Sequence, residues 1–157
     1  MLVDSLIVPQ CVYRPGTFTG LMSLYESNYI KLRHLAGELG WKVDAVISAP
    51  IADQTLHAEI VRREPYTTTL RLTYWLPDDL GAVVAEPDLL LRIYHDARLV
   101  EAVSCAESLR HAKLRELARD SHAELGRRWQ LNMLLNKWLD YLFEVGHSLE
   151  GRGPTLC

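Results

Sequence analysis

Residues 89–105 read LLLRIYHDARLVEAVSC, and the alternation within this stretch decides the fold class. Leu89, Leu91, Ile93 and His95 alternate with Leu90, Arg92, Tyr94 and Asp96; Val100, Ala102 and Ser104 alternate with Leu99, Glu101, Val103 and Cys105. A period of two is that of a β-strand, whose successive side chains point to opposite faces. Two such runs meeting at Asp96–Arg98 predict a tight hairpin. Upstream, Leu56–Glu64 (LHAEIVRRE) and Tyr66–Leu76 (YTTTLRLTYWL) predict a second hairpin. Its later strand is rich in Thr, Tyr, Leu and Trp, which suit a pleated, half-buried surface. Pro65 sits at the junction, where its missing N–H costs no ladder bond. Val43, Ala45 and Ile47 predict a short strand before Pro50, and Pro77, Asp78, Asp79, Gly81 and Pro87 mark a turn-rich stretch between the hairpins. No crossover helix separates these strands, so the expected pairing is an antiparallel meander.

The period changes on both sides of this block. Leu21, Tyr25, Tyr29, Leu32, Ala36 and Leu39 recur every three or four residues, with Met22 and Leu35 widening the stripe. This is an amphipathic helix over Thr19–Leu39, with Gly40 placed to end it and Ser27, Asn28, Lys31, Arg33, His34 and Glu38 on the polar side. From Leu125 to His147 the helical spacing returns in Leu131, Leu135, Trp138, Leu142 and Val145, flanked by Leu134, Leu139, Tyr141 and Phe143. That apolar arc is broader than a surface helix needs, which predicts deep packing or a subunit contact. Residues 107–124 are charged and helix-compatible, with a break at Asp120–His122. The expectation is an α+β fold: an antiparallel sheet of four or five strands covered by an N-terminal and a C-terminal helix. One domain spans residues 19–148, after an irregular lead-in at 1–18 and before a flexible tail at 149–157.

Composition narrows the function classes. At 157 residues with 48% hydrophobic and 24% charged side chains, the chain can build one core without metal or disulfide staples. The net charge is −3. Residues 41–106 hold six basic and ten acidic groups, so the acidity belongs to the sheet and its turns and disfavours nucleic acid as a partner. Cys11, Cys105 and Cys157 show no CxxC spacing, and Cys105 reads as a small buried hydrophobe. The N-terminus MLVDSLIVPQC lacks a basic region ahead of its short apolar patch, and no apolar run approaches the roughly 20 residues of a membrane span. A cytoplasmic protein without membrane contact is expected.

Four blocks occur in order: LMSLYESNYIKLRHL, EIVRREPYTTTLRL, LRIYHDARLVEAV and NMLLNKWLDYLFEVGH. Together, from about Gly20 to His147, they resemble the YqiB-like family of small proteobacterial proteins, a domain of unknown function. RIYHDA and the segment carrying Asn132, Leu135, Trp138 and Leu139 are the most specific parts. The resemblance implies no activity or site residues. Family genes commonly neighbour those for a Nudix-type ADP-sugar hydrolase and a cyclic-nucleotide phosphodiesterase, which implies an association with nucleotide metabolism and nothing about a site.

The chemistry-bearing residues concentrate at the second hairpin. Strand alternation sends Arg92, Tyr94 and Asp96 to one face and His95 to the other, with Arg98 and Glu101 past the turn. Such a row can fork a carboxylate or phosphate through the guanidinium. It can equally form a cross-strand pair of Arg92 with Glu101, with Asp96 capping the turn. His95 and Asp96 point oppositely and cannot share an ion, and His34, His57, His111, His122 and His147 show no ligand spacing, so neither metal nor cofactor is expected. GxSxG, GxxxxGK[ST] and GxGxxG are all missing. On the last helix, Trp129 beside Arg127 and Arg128 is a contact candidate, Trp138 either core or contact, and Asn132 a polar residue expected to bond a neighbouring backbone. The residues therefore favour a non-enzymatic binding or regulatory module with a protein partner or a second copy. A nucleotide or sugar-phosphate site around Arg92, Tyr94 and Asp96 is the alternative.

Overall fold

The computed structural model describes residues 17–37, 43–77, 80–81, 83–105 and 126–150. The expectations for most of the lead-in, Gly40, Asp78–Asp79, residues 107–124, Cys11 and Cys157 lie outside them. The described elements are α1 (Phe18–Ala36), β1 (Ala45–Ser48), β2 (Thr55–Arg63), β3 (Thr67–Pro77), β4 (Val83–Tyr94), β5 (Leu99–Cys105) and α2 (Gly126–Glu144). The five strands form one antiparallel sheet in the order β1-β2-β3-β4-β5, the meander that the strand periods implied.

Alternation builds the core. Val46, Leu56, Ala58, Leu70, Leu72, Tyr74, Leu89, Leu91, Ile93, Val100 and Ala102 point to one face and are buried. Against them pack Leu32, Leu35 and Ala36 of α1 and Leu134, Leu135, Trp138, Leu139 and Leu142 of α2. The broad apolar arc of α2 is thus covered from within the chain. Trp138, weighed as a contact residue, is fully buried and meets Tyr74 edge-on at 5.2 Å between ring centres.

Three bulges interrupt the register. One falls where Thr73 pairs with Asp88 and Trp75 with Ala85, which places the irregularity at Glu86–Pro87. The strand therefore runs through a stretch expected as turn, because Pro87 sits where no ladder N–H is needed. The others insert Val61 into β2 and Val103 into β5, and both extra residues are exposed.

The helix ends also differ from the periodic reading. Thr17 caps α1, its Oγ1 accepting the Gly20 N–H at 3.0 Å, so the helix begins at Phe18, one residue before the expected start at Thr19. α1 stops at Ala36, where Gly37 at φ 65° donates its N–H to the Arg33 carbonyl at 2.8 Å. A glycine takes that left-handed conformation freely, so Gly37 rather than Gly40 ends the helix. At the other terminus, Leu149, expected in the flexible tail, is buried and donates its N–H to the Leu35 carbonyl at 2.8 Å.

Candidate functional site

Both described helices lie on one face of the sheet, and the opposite face carries charged residues of the hairpins. The register sets Arg92 directly opposite Glu101, and Glu59 opposite Arg71. Glu101 gives one oxygen to the Tyr94 hydroxyl and the other to the Tyr25 hydroxyl, each at 3.1 Å. Tyr25 comes from α1, so this carboxylate ties the helix to the edge strand. Burial, then the Glu101 charge, pushes the Tyr25 phenol up to about 12. The Arg92 guanidinium is held more firmly protonated by Tyr94 and by the charges of Glu101 and Glu64. No ion pair joins Arg92 to a carboxylate among the described residues. The sequence candidates Arg92, Tyr94 and Glu101 are therefore brought together, with Tyr25 as a member that strand alternation could not supply.

The rest of that candidate row separates. Asp96 lies in the turn His95–Arg98, beyond the end of β4, so it does not continue the Arg92–Tyr94 row. It is exposed and its Oδ1 accepts the Ala97 N–H at 2.9 Å, a turn contact. Arg98 is exposed at φ 56°, the left-handed corner of the hairpin. His95 points to the other side, 2.7 Å from the Thr68 hydroxyl.

A buried polar seam joins α1, α2 and β5. Asn132, fully buried, accepts the Ala102 N–H at 2.7 Å and donates to the Ala102 carbonyl at 3.3 Å and the Arg128 carbonyl at 2.8 Å. Its amide thus stands where a sixth strand would pair, and Asn28 adds a bond to the Val100 carbonyl at 3.3 Å. This closes the edge of β5 to strand addition. Asn28 and Asn136 bond to each other at 3.0 Å, and Asn136 also bonds Ser27 at 2.8 Å. Lys31, only 6% exposed, donates to Asn136 and to Asp140, both at 2.7 Å. Ser27, Asn28 and Lys31 are therefore not on a solvated side: a second helix with Asn132, Asn136 and Asp140 spaced four apart lies across them. Trp129 is half-buried at the start of α2.

A second buried cluster sits at the far end of β1. The His147 ring lies 2.9 Å from the Ser48 hydroxyl through Nδ1 and 2.9 Å from the Asp53 carboxylate through Nε2. The Asp53 carboxylate also accepts the hydroxyls of Tyr74 and, at 3.3 Å, Tyr141. Burial works to raise the Asp53 pKa, yet bonds from Tyr74, His147 and the Gln54 backbone outweigh it and hold the carboxyl ionised. Burial lowers the His147 pKa against the pull of Asp53. Burial, with the Asp53 bond, drives the Tyr74 phenol strongly up, while Trp138 tugs it the other way without an ordinary hydrogen bond. Ser, His and Asp in contact suggest acyl-transfer chemistry. Here the Ser48 oxygen accepts the Ser148 N–H at 3.1 Å, and the His147 and Asp53 side chains are 0% and 3% exposed. Both side chains are closed off from solvent, and their bonds join β1, the β1–β2 loop, β3, α2 and the segment after it, the contacts of an internal clasp. The sequence signalled none of it, because its members are separated by up to 99 positions.

Among the described residues no group of three His, Cys, Asp or Glu side chains could hold a metal ion, and no helix is long and apolar enough to cross a membrane. Residues 30–148 match the family described as "Protein of unknown function (DUF1249)". No curated protein and no solved structure matches the chain.

Proposed function

The chain belongs to the DUF1249 family of proteins of unknown function, and from that premise we propose that it is a non-enzymatic binding module whose sheet face, left uncovered by the two described helices, takes a protein partner. The observation that carries this reading is the asymmetry of the sheet. Among the described residues both helices cover one face, while Arg71, Arg92 and Tyr94 share the other, with Glu101 at its β5 edge beside Tyr25 of α1 and the exposed side chains of Ile47, Val61 and Val103 toward its margins. Arginine and tyrosine among scattered apolar side chains are the composition of protein interfaces. The mixed charge supports a protein over a polyanion. The partner lies over the face, since the β5 edge is already occupied by Asn132 and Asn28. The chain is further proposed to be cytoplasmic, and the four sequence blocks support placing it among the YqiB-like bacterial members of the family.

The test is capture from native lysate with the wild-type chain and with Arg92→Glu. A partner retained by the first and lost by the second supports the reading, provided both have the same circular dichroism and melting temperature.

One observation favours a second reading. Arg92 has no ion-paired carboxylate among the described residues, which leaves its guanidinium able to fork a small anion beside Tyr94. A thermal-shift panel of nucleotides and sugar phosphates discriminates: a ligand raises the melting temperature by mass action, and Arg92→Ala removes the rise.

A further inference from the structure

We propose that His147, Asp53 and Ser48 form a protonation-controlled latch, which holds the segment after α2 against the end of the sheet at neutral pH and releases it in mild acid. The side-chain hydrogen bonds of His147 and the Ser148 N–H fasten the segment to this cluster, and Leu149 anchors it in the core. Gly146 at φ 94° turns the chain out of α2, and the His147 N–H bonds the Leu142 carbonyl at 3.0 Å. The imidazole then enters the protein between Ser48 of β1 and Asp53 of the β1–β2 loop. The Ser148 N–H bonds the Ser48 hydroxyl, and the Leu149 N–H bonds the Leu35 carbonyl at the end of α1.

The hydrogen-bond roles follow from the groups present. An ionised carboxylate only accepts, so the His147 Nε2 carries a hydrogen toward Asp53. In the neutral ring Nδ1 is then the acceptor, and the Ser48 O–H must donate to it. The same serine oxygen accepts the Ser148 N–H. Protonating Nδ1 turns an acceptor into a donor, so the Ser48 hydrogen loses its partner inside the protein. An orphaned buried donor is destabilising. The groups against the His147 ring are Ser48 from β1, Asp53 from the loop and Tyr74 from β3, with Tyr141 of α2 bonded to the same Asp53 carboxylate and Trp138 of α2 against Tyr74. Of these only Asp53 is charged near neutrality, and its attraction for an imidazolium opposes release. Burial outweighs that attraction, since the folded ring titrates below its ordinary value.

The sign follows from linkage. A histidine whose folded pKa lies below its free value of about 6.5 holds the latch fully closed above that pH. The closed state loses its advantage as pH falls from there toward the folded pKa. One proton is involved, so in that window the opening constant rises by at most about tenfold per pH unit.

Amide hydrogen exchange on the full chain, corrected for the intrinsic pH dependence of exchange, reads this directly, with the His147 ring carbons followed by NMR. The expected result is a His147 midpoint below 6.5. Gly146, Ser148 and Leu149 then lose protection as pH falls from about 6.5 toward that midpoint, while Leu70 and Leu91 stay protected. His147→Gln abolishes the pH-dependent step. Ser48→Ala, which removes the donor to Nδ1, moves the His147 midpoint upward and serves where the glutamine variant does not fold. The proposal is overturned if the segment opens only together with the sheet, if the glutamine variant keeps the step, or if the Ser48→Ala midpoint stays where the wild type's is.

Discussion

Replacing Asn132 by alanine tests the polar seam most severely, because one amide serves two buried backbone groups of the edge strand. In its absence the Ala102 N–H, now bonded at 2.7 Å, and the Ala102 carbonyl, at 3.3 Å, lose their partner in a region sealed by both helices. Each orphaned buried group costs about 1–3 kcal/mol. Asn28 keeps its bond to Val100 but loses its contact with the Asn132 oxygen at 3.2 Å. The sum for the two groups is a loss of about 2–6 kcal/mol, against a total stability on the order of 5–15 kcal/mol. Urea unfolding followed by circular dichroism measures it as a lower midpoint at unchanged slope, with a melting temperature down by on the order of 10 °C. Asn132→Leu separates hydrogen bonding from packing. Leucine fills the volume but leaves Ala102 unpaired, so its cost stays close to that of alanine. If leucine brought stability back to within about 1 kcal/mol of wild type, the edge-strand account would be refuted.

Four further outcomes are expected. Lys31→Met leaves the buried Asn136 oxygen without its donor and costs about 1–3 kcal/mol, whereas Arg62→Ala, in an exposed ion pair with Glu64, costs under about 1 kcal/mol; paired denaturation curves compare them. Gly146→Ala meets nothing closer than Pro50 Cβ at 3.9 Å, yet forces φ 94° on a side-chain-bearing residue, and loses about 1–2 kcal/mol in thermal unfolding through backbone strain alone. Stability falls with acid: His147, shifted down, withdraws its contribution below about pH 6.5, and Asp53, shifted down, below about pH 3.9, so a pH series shows a shallow decline and then a steeper one. Trp138→Phe removes an indole N–H that has no partner, which offsets the lost packing and keeps the cost under about 2 kcal/mol.

The strands were legible because each has one buried face and so alternates cleanly, as Leu89, Leu91 and Ile93 do against Arg92 and Tyr94. The bulges at Val61 and Val103 were not, since one inserted residue leaves the pattern on either side intact. Helix periodicity located α1 and α2 but misassigned Ser27, Asn28 and Lys31. Polarity marks a solvated face only when no other polar surface lies across it, and here α2 supplies Asn132, Asn136 and Asp140. Asn132 could be recognised as a residue needing a backbone partner, because a buried amide in an apolar run requires one. That the partner is the edge of β5 depends on how the helix crosses the sheet. Of the hairpin candidates, Arg92, Tyr94 and Glu101 follow from strand register alone, while Asp96 fell away because the turn begins before it. Tyr25 reaches Glu101 from 76 residues away, a distance at which local pattern carries no information.

The most direct test of the central claim compares what three immobilised chains retain from native lysate: the wild type, Arg92→Glu on the face opposite α1 and α2, and Phe143→Ala on the exposed surface of α2. A protein held by the wild type and by Phe143→Ala but lost by Arg92→Glu is the predicted result. Retention by Arg92→Glu at the wild-type level would contradict the account, as would loss confined to Phe143→Ala.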